Sequence, residues 1–281
     1  MLLDKLKTGV FLAGLTFILL IIGFAIGGST GLTIALIFSI LINVIFYWYS
    51  DKLIIKMYNA RKAEHSDFPV LHDVVKDVAT RANIKMPRIY IINSENPNAF
   101  ATGRNENKAI IGVTTSLLEI LTEQELKAVI AHEIGHIKNK DLLISTVSVI
   151  LASAIAYIAV LMRLTMVFGA KDENNMGIME LLALSIVAPI SATILRLAIS
   201  RSREYVADET GSKLIKDPES LANALIKLET SPKLKHGNGA AANLFIVNPF
   251  SGTGFFKLLS THPSTGERVK RLRKMAFSPT N

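Results

Sequence analysis

The chain has 281 residues, half of them hydrophobic, and its mean hydropathy is +0.38. This composition is too apolar for a disordered chain and is typical of membrane proteins. No cysteine is present, which excludes disulfides and cysteine-rich zinc sites. The net charge of +8 is better explained by attraction to anionic lipid headgroups than by nucleic acid, because no aromatic-interleaved RNA-binding pattern accompanies it.

Two apolar helices are predicted at the N-terminus. No charged residue occurs between Lys7 and Asp51, a stretch too long for one membrane span and suited to two helices of about 20 residues each. The glycine-rich segment 27–31 predicts a turn in the middle. Residues 8–26 and 32–49 are therefore predicted to form a transmembrane hairpin, with aromatic residues at the end of the second span.

A small mixed segment follows the hairpin. The pattern predicts a helix over 68–83, with Asp67 as its cap. Short β-branched runs predict strands at 88–92 and 109–113. Between them, 98–101 is predicted to be a short strand. An exposed edge strand binds extended peptides by adding them to the sheet, whereas an ordinary hairpin is the alternative interpretation.

The main chemical motif is His132-Glu133-Ile134-Gly135-His136, an H-E-x-x-H sequence. Thr122 and Glu125 form a predicted capping box that starts a helix ten residues before the motif. On a helix, residues four apart share one face, so His132 and His136 are placed to bind one zinc ion. Glu133 then lies beside the metal as a candidate general base.

A catalytic zinc site needs a third protein ligand. Glu204 and Asp208 are four residues apart, so one carboxylate is placed to bind the metal while the other accepts a hydrogen bond from a ligand histidine. The alternative is a solvated helix carrying charges around Arg201 and Arg203. Two more helices are predicted, one from Asp217 to about Glu229 and one after a capping box at 264–267.

Two further apolar segments, 142–162 and 181–195, separate the motif from the third ligand. The first is long enough to span a bilayer. The second is short and contains Pro189, so it is interpreted as a span, with a one-sided insertion or a core helix as alternatives. Of the 31 lysines and arginines, 27 lie in 51–141 and 196–281, which places both segments on the cytoplasmic side.

The predicted fold is therefore a mostly helical α+β integral membrane zincin, with three to four transmembrane helices and a cytoplasmic zinc-protease domain containing a small β-sheet. The expected organisation has four parts: an N-terminal transmembrane hairpin at 1–50, a protease segment with the edge strand and motif helix at 51–141, the third and fourth apolar segments at 142–195, and a protease segment with the third ligand at 196–281.

These features together resemble one family. The hairpin, the segments 98–101, 132–136 and 203–208, and the sequence Thr-His-Pro-Ser at 261–264 occur in an order and spacing similar to those of HtpX-type membrane-bound zinc metalloproteases. That family is related to the integral-membrane CAAX prenyl proteases. The resemblance covers nearly the whole chain.

The resemblance implies roles for individual residues. His132, His136 and Glu204 would bind one zinc ion per chain, Glu133 would be the general base, and Asp208 would support a ligand histidine. The roles of five other residues rest mainly on the family.

These residues would serve the oxyanion, the carboxylate behind a metal ligand, and the substrate. His262 would stabilise the oxyanion, and Arg268 would pair with the acidic partner of the ligand glutamate. Asn98, Ala99 and Phe100 would belong to the edge strand that aligns the substrate.

The predicted function is zinc-dependent endopeptidase cleavage of misfolded or damaged membrane proteins, as membrane protein quality control. The predicted location is the cell inner or plasma membrane, multi-pass, with the active site facing the cytoplasm. Its partners would be the lipid bilayer and unfolded membrane proteins, with no nucleic acid. Two alternatives stay open: a non-enzymatic zinc-binding membrane scaffold, and an intramembrane site-2-type protease, which the charged residues flanking the motif disfavour.

Overall fold

The structure is a computed structural model that describes residues 2–142, 146, 201–231 and 263–276. The predicted third and fourth apolar segments lie almost entirely outside the described residues, and so does His262. The first element is α1, Leu2–Met57, whose helical geometry is interrupted at Gly27 and Gly28.

The interruption in α1 reverses the chain. Gly28 has φ 57° and ψ −138°, a conformation that side chains exclude and glycine permits. Asn43 Nδ2 donates to Thr16 Oγ1 at 2.9 Å, although these residues are 27 positions apart. The two halves of α1 therefore lie side by side, and the reversal falls inside the predicted turn.

One part of α1 is suited to a bilayer. Among the described residues, Gly27–Ile45 is long and apolar enough to cross a membrane, by length and composition. Large apolar side chains on this stretch are exposed, including Ile34, Phe38 and Leu41. An unpartnered apolar surface of this kind is favourable in lipid and unfavourable in water. The number of spans stays a prediction.

Four short strands form one mixed sheet in the order β1-β2-β4-β3. They are β1 (Arg61–Lys62), β2 (Arg88–Ile92), β3 (Ala99–Thr102) and β4 (Ile110–Thr114). The central pair β2 and β4 is parallel, with Arg88 opposite Ile110, while β3 pairs antiparallel with β4. Strand β3 lies at the sheet edge, as predicted for 98–101, but all four of its residues are buried rather than exposed.

Three helices follow or flank these strands: α2 (Pro69–Ala82), α3 (Thr115–Ile120) and α4 (Glu123–Lys138). The capping box that starts α4 is confirmed, with both reciprocal hydrogen bonds between Thr122 and Glu125. The predicted cap of α2 is wrong. Phe68, not Asp67, is the N-cap, and its phenyl ring has no acceptor for a side-chain cap hydrogen bond; Pro69 follows at the start of the helix, where its missing N–H needs no partner.

The C-terminal part contributes α5 (Arg201–Ile215), α6 (Pro218–Thr230) and α7 (Thr265–Ala276). The predicted start of a helix at Asp217 is confirmed, and Asp217 is its N-cap: the carboxylate accepts from the Ser220 N–H at 3.0 Å. Helix α4 lies at the centre of the core, in contact with α2, α5, α6 and β3. This central position places the H-E-x-x-H motif between the sheet edge and α5.

Candidate metal centre and active site

Three metal-binding side chains converge between α4 and α5. His132 and His136 lie one helical turn apart on α4, and Glu204 faces them from the first turn of α5. The Nε2 atoms of the two histidines are 3.2 Å apart. The Glu204 carboxylate lies 3.7 Å from Nε2 of His132 and 3.6 Å from Nε2 of His136.

This spacing fits a tetrahedral zinc ion. Two ligands that each bind zinc at about 2.0 Å with tetrahedral angles lie roughly 3.3 Å apart. The three ligand atoms all lie within 4.8 Å of one another, and they form the metal-binding group found in the described part of the chain. Two imidazoles and one carboxylate are also the donor set of catalytic zinc sites that keep one position open.

Two glycines allow α4 and α5 to approach so closely. A Cβ atom on Gly211 would lie 2.7 Å from the backbone nitrogen of His132, and one on Gly135 would lie 2.9 Å from the Ala207 carbonyl oxygen. Real Cβ atoms do not occupy such positions. Glycine is therefore required on both helices to bring Glu204 within reach of the histidines.

The outer nitrogen of His132 is held by a buried carboxylate. Its Nδ1 lies 2.9 Å from Oδ1 of Asp208, so an Nδ1–H donor leaves Nε2 free to bind metal. Arg268 from α7 binds the same carboxylate through two hydrogen bonds of 2.6 and 2.9 Å. Burial alone would raise the pKa of Asp208, but the charge of Arg268 and the hydrogen bonds from His132 and Arg268 outweigh it and lower the pKa to about 2.

Glu133 connects the metal centre to the sheet edge. Its Oε2 accepts a hydrogen bond of 2.6 Å from the backbone N–H of Ala101 on β3. Burial is the main reason that the pKa of Glu133 is raised, and Glu204 raises it further, while the two histidines and the Ala101 amide oppose this. A raised pKa brings a carboxylate nearer to the range in which it transfers protons at neutral pH.

The backbone groups of β3 alternate between pairing with β4 and facing away from it. Asn98 exchanges hydrogen bonds with Thr114 of β4, accepting from its backbone N–H at 2.9 Å and donating to its hydroxyl at 2.8 Å. Because an antiparallel pair alternates, Ala99 and Ala101 direct their backbone groups away from β4, toward the outer edge of the sheet. This edge carries the Ala101 amide that contacts Glu133.

Comparison with known proteins identifies the family. Residues 65–276, which contain all the side chains of this centre, match Peptidase family M48. The chain belongs to peptidase family M48. It is therefore a metalloprotease, and the converging histidines and glutamate of this M48 peptidase are its candidate metal ligands.

Relatives match over almost the full length. The "Protease HtpX homolog" of Pyrococcus furiosus is 48% identical over 276 residues, covering 96% of both chains. The protein of the same name from Desulforapulum autotrophicum is 45% identical over 283 residues, covering 99% of this chain and 92% of the other. The resemblance to the HtpX family is thus confirmed, and with it the assignment of this M48 peptidase as a membrane metalloprotease.

The fold is shared with a solved structure. The crystal structure of S. mikatae Ste24p matches with a TM-score of 0.51 and 18% identity, covering 96% of this chain and 66% of that chain. At this identity the likeness concerns the fold. It supports a mostly helical M48 architecture with a small mixed sheet.

The structure brings together most of the residues that the sequence selected. The three ligand candidates form one largely buried cluster together with Glu133, Asp208 and Arg268. A second group, Asn98, Ala99 and Phe100, lies on or next to the edge strand and is also buried. His262 lies outside the described residues.

Two functional candidates of the M48 peptidase were missed from sequence. Asp141, just beyond the end of α4, places Oδ2 3.4 Å from Nδ1 of His136. Arg203, next to Glu204, lies 3.2 Å from the other oxygen of Asp141. The signal available was an acid five residues after the second histidine and a base adjacent to the third ligand, and both resemble ordinary helix-end charges. The Nδ1 atom of each ligand histidine therefore contacts a carboxylate, and each of these two carboxylates also contacts an arginine.

Proposed function

We propose that this M48 peptidase is a zinc endopeptidase in which His132, His136 and Glu204 bind the metal and Glu133 is the general base. The observation that carries this proposal is the convergence of the three ligand atoms beside a buried carboxylate that contacts an edge strand. When bound there, zinc supplies Lewis-acid activation of water and of the scissile carbonyl.

The protein's own side chains and backbone supply the proton transfers and the orientation of the reacting groups. Glu133 removes a proton from the attacking water and returns it to the leaving amine. The Ala101 amide holds one oxygen of Glu133 and thereby fixes the direction of its carboxylate. Asp208 and Arg268 hold His132 in the tautomer that binds metal. By resemblance, His262 stabilises the oxyanion.

The substrate is an extended polypeptide that adds to the outer edge of β3 once the groups that bury this strand have moved aside. Asn98, Ala99 and Phe100 set the register, because the backbone groups of Ala99 point outward while Asn98 is fixed to β4. Backbone pairing is tolerant of side-chain sequence, which suits unfolded or damaged membrane proteins as substrates. The name of the relatives, "Protease HtpX homolog", supports cleavage of polypeptides in general.

The proposed topology keeps both protease segments on one face of the membrane. Basic residues concentrate in 51–141 and 196–281, which favours the cytoplasmic side. Two spans within 142–195, added to the hairpin at 1–50, return the chain to that side. The same topology brings the third ligand back to the motif helix.

The decisive experiment compares cleavage of an unfolded protein by the purified chain, metal-free and after adding zinc. Wild type is tested beside Glu133→Gln, which removes the base and leaves the ligands. Glu123→Gln is the matched control, because Glu123 is an exposed residue in the first turn of the same helix. Bound zinc is measured for each protein.

The expected result is zinc-dependent cleavage by wild type and Glu123→Gln, with normal zinc binding and lost turnover in Glu133→Gln. Cleavage by Glu133→Gln at the wild-type rate would contradict the role of this residue. Tight zinc binding without cleavage by any of the proteins would favour the scaffold alternative.

A further inference from the structure

The second half of α1 is joined rigidly to the protease domain. The helix continues from the candidate span Gly27–Ile45 to Met57 without an interruption beyond Gly28. Near its end, Ile54 is fully buried in a cluster with Ile92 of β2 and Phe100 of β3. The membrane helix therefore packs directly against the edge strand, with no flexible linker between them.

Two polar contacts fix the same junction. The guanidinium of Arg104, two residues after β3, lies 4.7 Å above the Trp48 ring. Nη2 of Arg88, at the start of β2, lies 2.9 Å from Oδ2 of Asp51. These contacts and the apolar cluster occupy successive turns of one helix. Together they restrict both the height and the rotation of the sheet relative to α1.

The height of the site above the bilayer follows from this junction. Trp48 ends the apolar stretch and is exposed, the position at which tryptophan lies at the membrane interface. Ile54 is six residues further, or about 9 Å along the helix. Phe100 belongs to the same buried cluster as Ile54, and its neighbour Ala101 donates to Glu133. The reacting carboxylate thus lies roughly 5–15 Å outside the interface, allowing one strand or side-chain spacing in either direction.

A substrate anchored in the same bilayer has to reach this height. An extended chain rises about 3.3 Å per residue, so roughly two to five residues separate the end of its membrane segment from the nearest bond that can enter the site. Peptide bonds closer to the membrane segment cannot reach the active site. Bonds further away reach it through a longer tether, which lowers the effective concentration roughly as the −3/2 power of tether length.

We infer that the junction of α1 with β3 sets a fixed cutting height, so that the preferred substrates are membrane-anchored polypeptides with a cleavable bond about 4–12 residues outside their own membrane segment. This inference rests on the proposed function of the site and adds the position of the cleaved bond to it.

The test uses the full-length protein reconstituted in liposomes with anchored substrates. Each substrate carries one membrane helix, a Gly/Ser spacer of about 2, 6, 12 or 48 residues, and the same unfolded segment. That segment is chosen because the protease cuts it in a soluble protein. The soluble version, without an anchor, is measured in parallel.

The expected profile is little cleavage with the shortest spacer, a maximum at about 6–12 residues, and a loss of about eightfold between spacers of about 12 and 48 residues. A flat or steadily rising profile, with normal cleavage of the soluble version, would overturn the cutting height and leave the proposed function intact. Failure to cleave both the soluble version and the whole anchored series would instead overturn the proposed function.

Discussion

The close approach of α4 and α5 makes Gly211→Ala a sharp test of how the metal centre is assembled. The new Cβ would lie 2.7 Å from the backbone nitrogen of His132 and 2.8 Å from the carbonyl carbon and oxygen of Ala131. All three atoms belong to the backbone, so no side chain can rotate away. Reaching a normal contact of about 3.5 Å requires the helices to separate by roughly 0.8 Å.

That separation is large compared with the tolerance of a metal site, in which ligand distances hold to about 0.2 Å. Overpacking of this kind costs about 1–3 kcal/mol of folding stability. We expect Gly211→Ala to lower the free energy of unfolding by that amount and to weaken zinc binding by at least about tenfold, since Glu204 moves away from the histidines.

The assay measures thermal unfolding of the metal-free protein and zinc affinity by competition with a chelating dye. Gly266→Ala is the matched control, because a Cβ atom at Gly266 on α7 meets nothing within 4 Å. The control should be neutral or more stable by up to about 1 kcal/mol. The reasoning is refuted if Gly211→Ala behaves like Gly266→Ala in both measurements.

Three other substitutions probe the supporting charges. Asp141→Asn should weaken zinc binding by about 10–100-fold, because His136 loses the carboxylate that orients it, and chelator competition measures the effect. Glu125→Gln should cost up to about 1 kcal/mol at pH 7, because it removes the ion pair with Lys227. The pKa of Glu125 is lowered in the folded protein: burial raises it, but hydrogen bonds from Lys227 and Thr122 outweigh burial. The difference from wild type in denaturant unfolding should therefore shrink as the pH falls below 4.5. Arg268→Ala should cost about 3–5 kcal/mol, measured by the same unfolding, because it leaves a buried carboxylate unpaired.

Local signals predicted the elements well. The strand 88–92 matches β2, the capping box at Thr122 starts α4, and Asp217 caps α6. These features depend on residues within one helical turn or on side-chain alternation, and the sequence contains both directly. The H-E-x-x-H spacing likewise predicted the convergence of two histidines, since helical periodicity alone produces it.

Contacts between distant segments were harder to predict. The hydrogen bond from Ala101 to Glu133 joins residues 32 positions apart. The Asp141–Arg203 contact joins two segments that are separated in the sequence by the predicted third and fourth apolar segments. Residues 268–274 are rich in arginine and lysine, a composition typical of an exposed surface. In the structure Arg268 is buried against Asp208, and α7 packs on α6, because the pairing of buried charges depends on tertiary placement that no local pattern encodes.

The charge balance of the centre gives a physical reason for a divalent cation. Four carboxylates are buried there, those of Glu133, Asp141, Glu204 and Asp208, and they face the guanidinium groups of two arginines. With neutral histidines the described side chains of the cluster carry a net charge of −2, which is costly to bury. Burial alone lowers the pKa of His136, but the carboxylates of Asp141, Glu204 and Glu133 outweigh it and raise the pKa to about 9. The raised pKa of His136 therefore has the same origin as the net charge of −2: an excess of carboxylates over arginines. One divalent ion would cancel this excess.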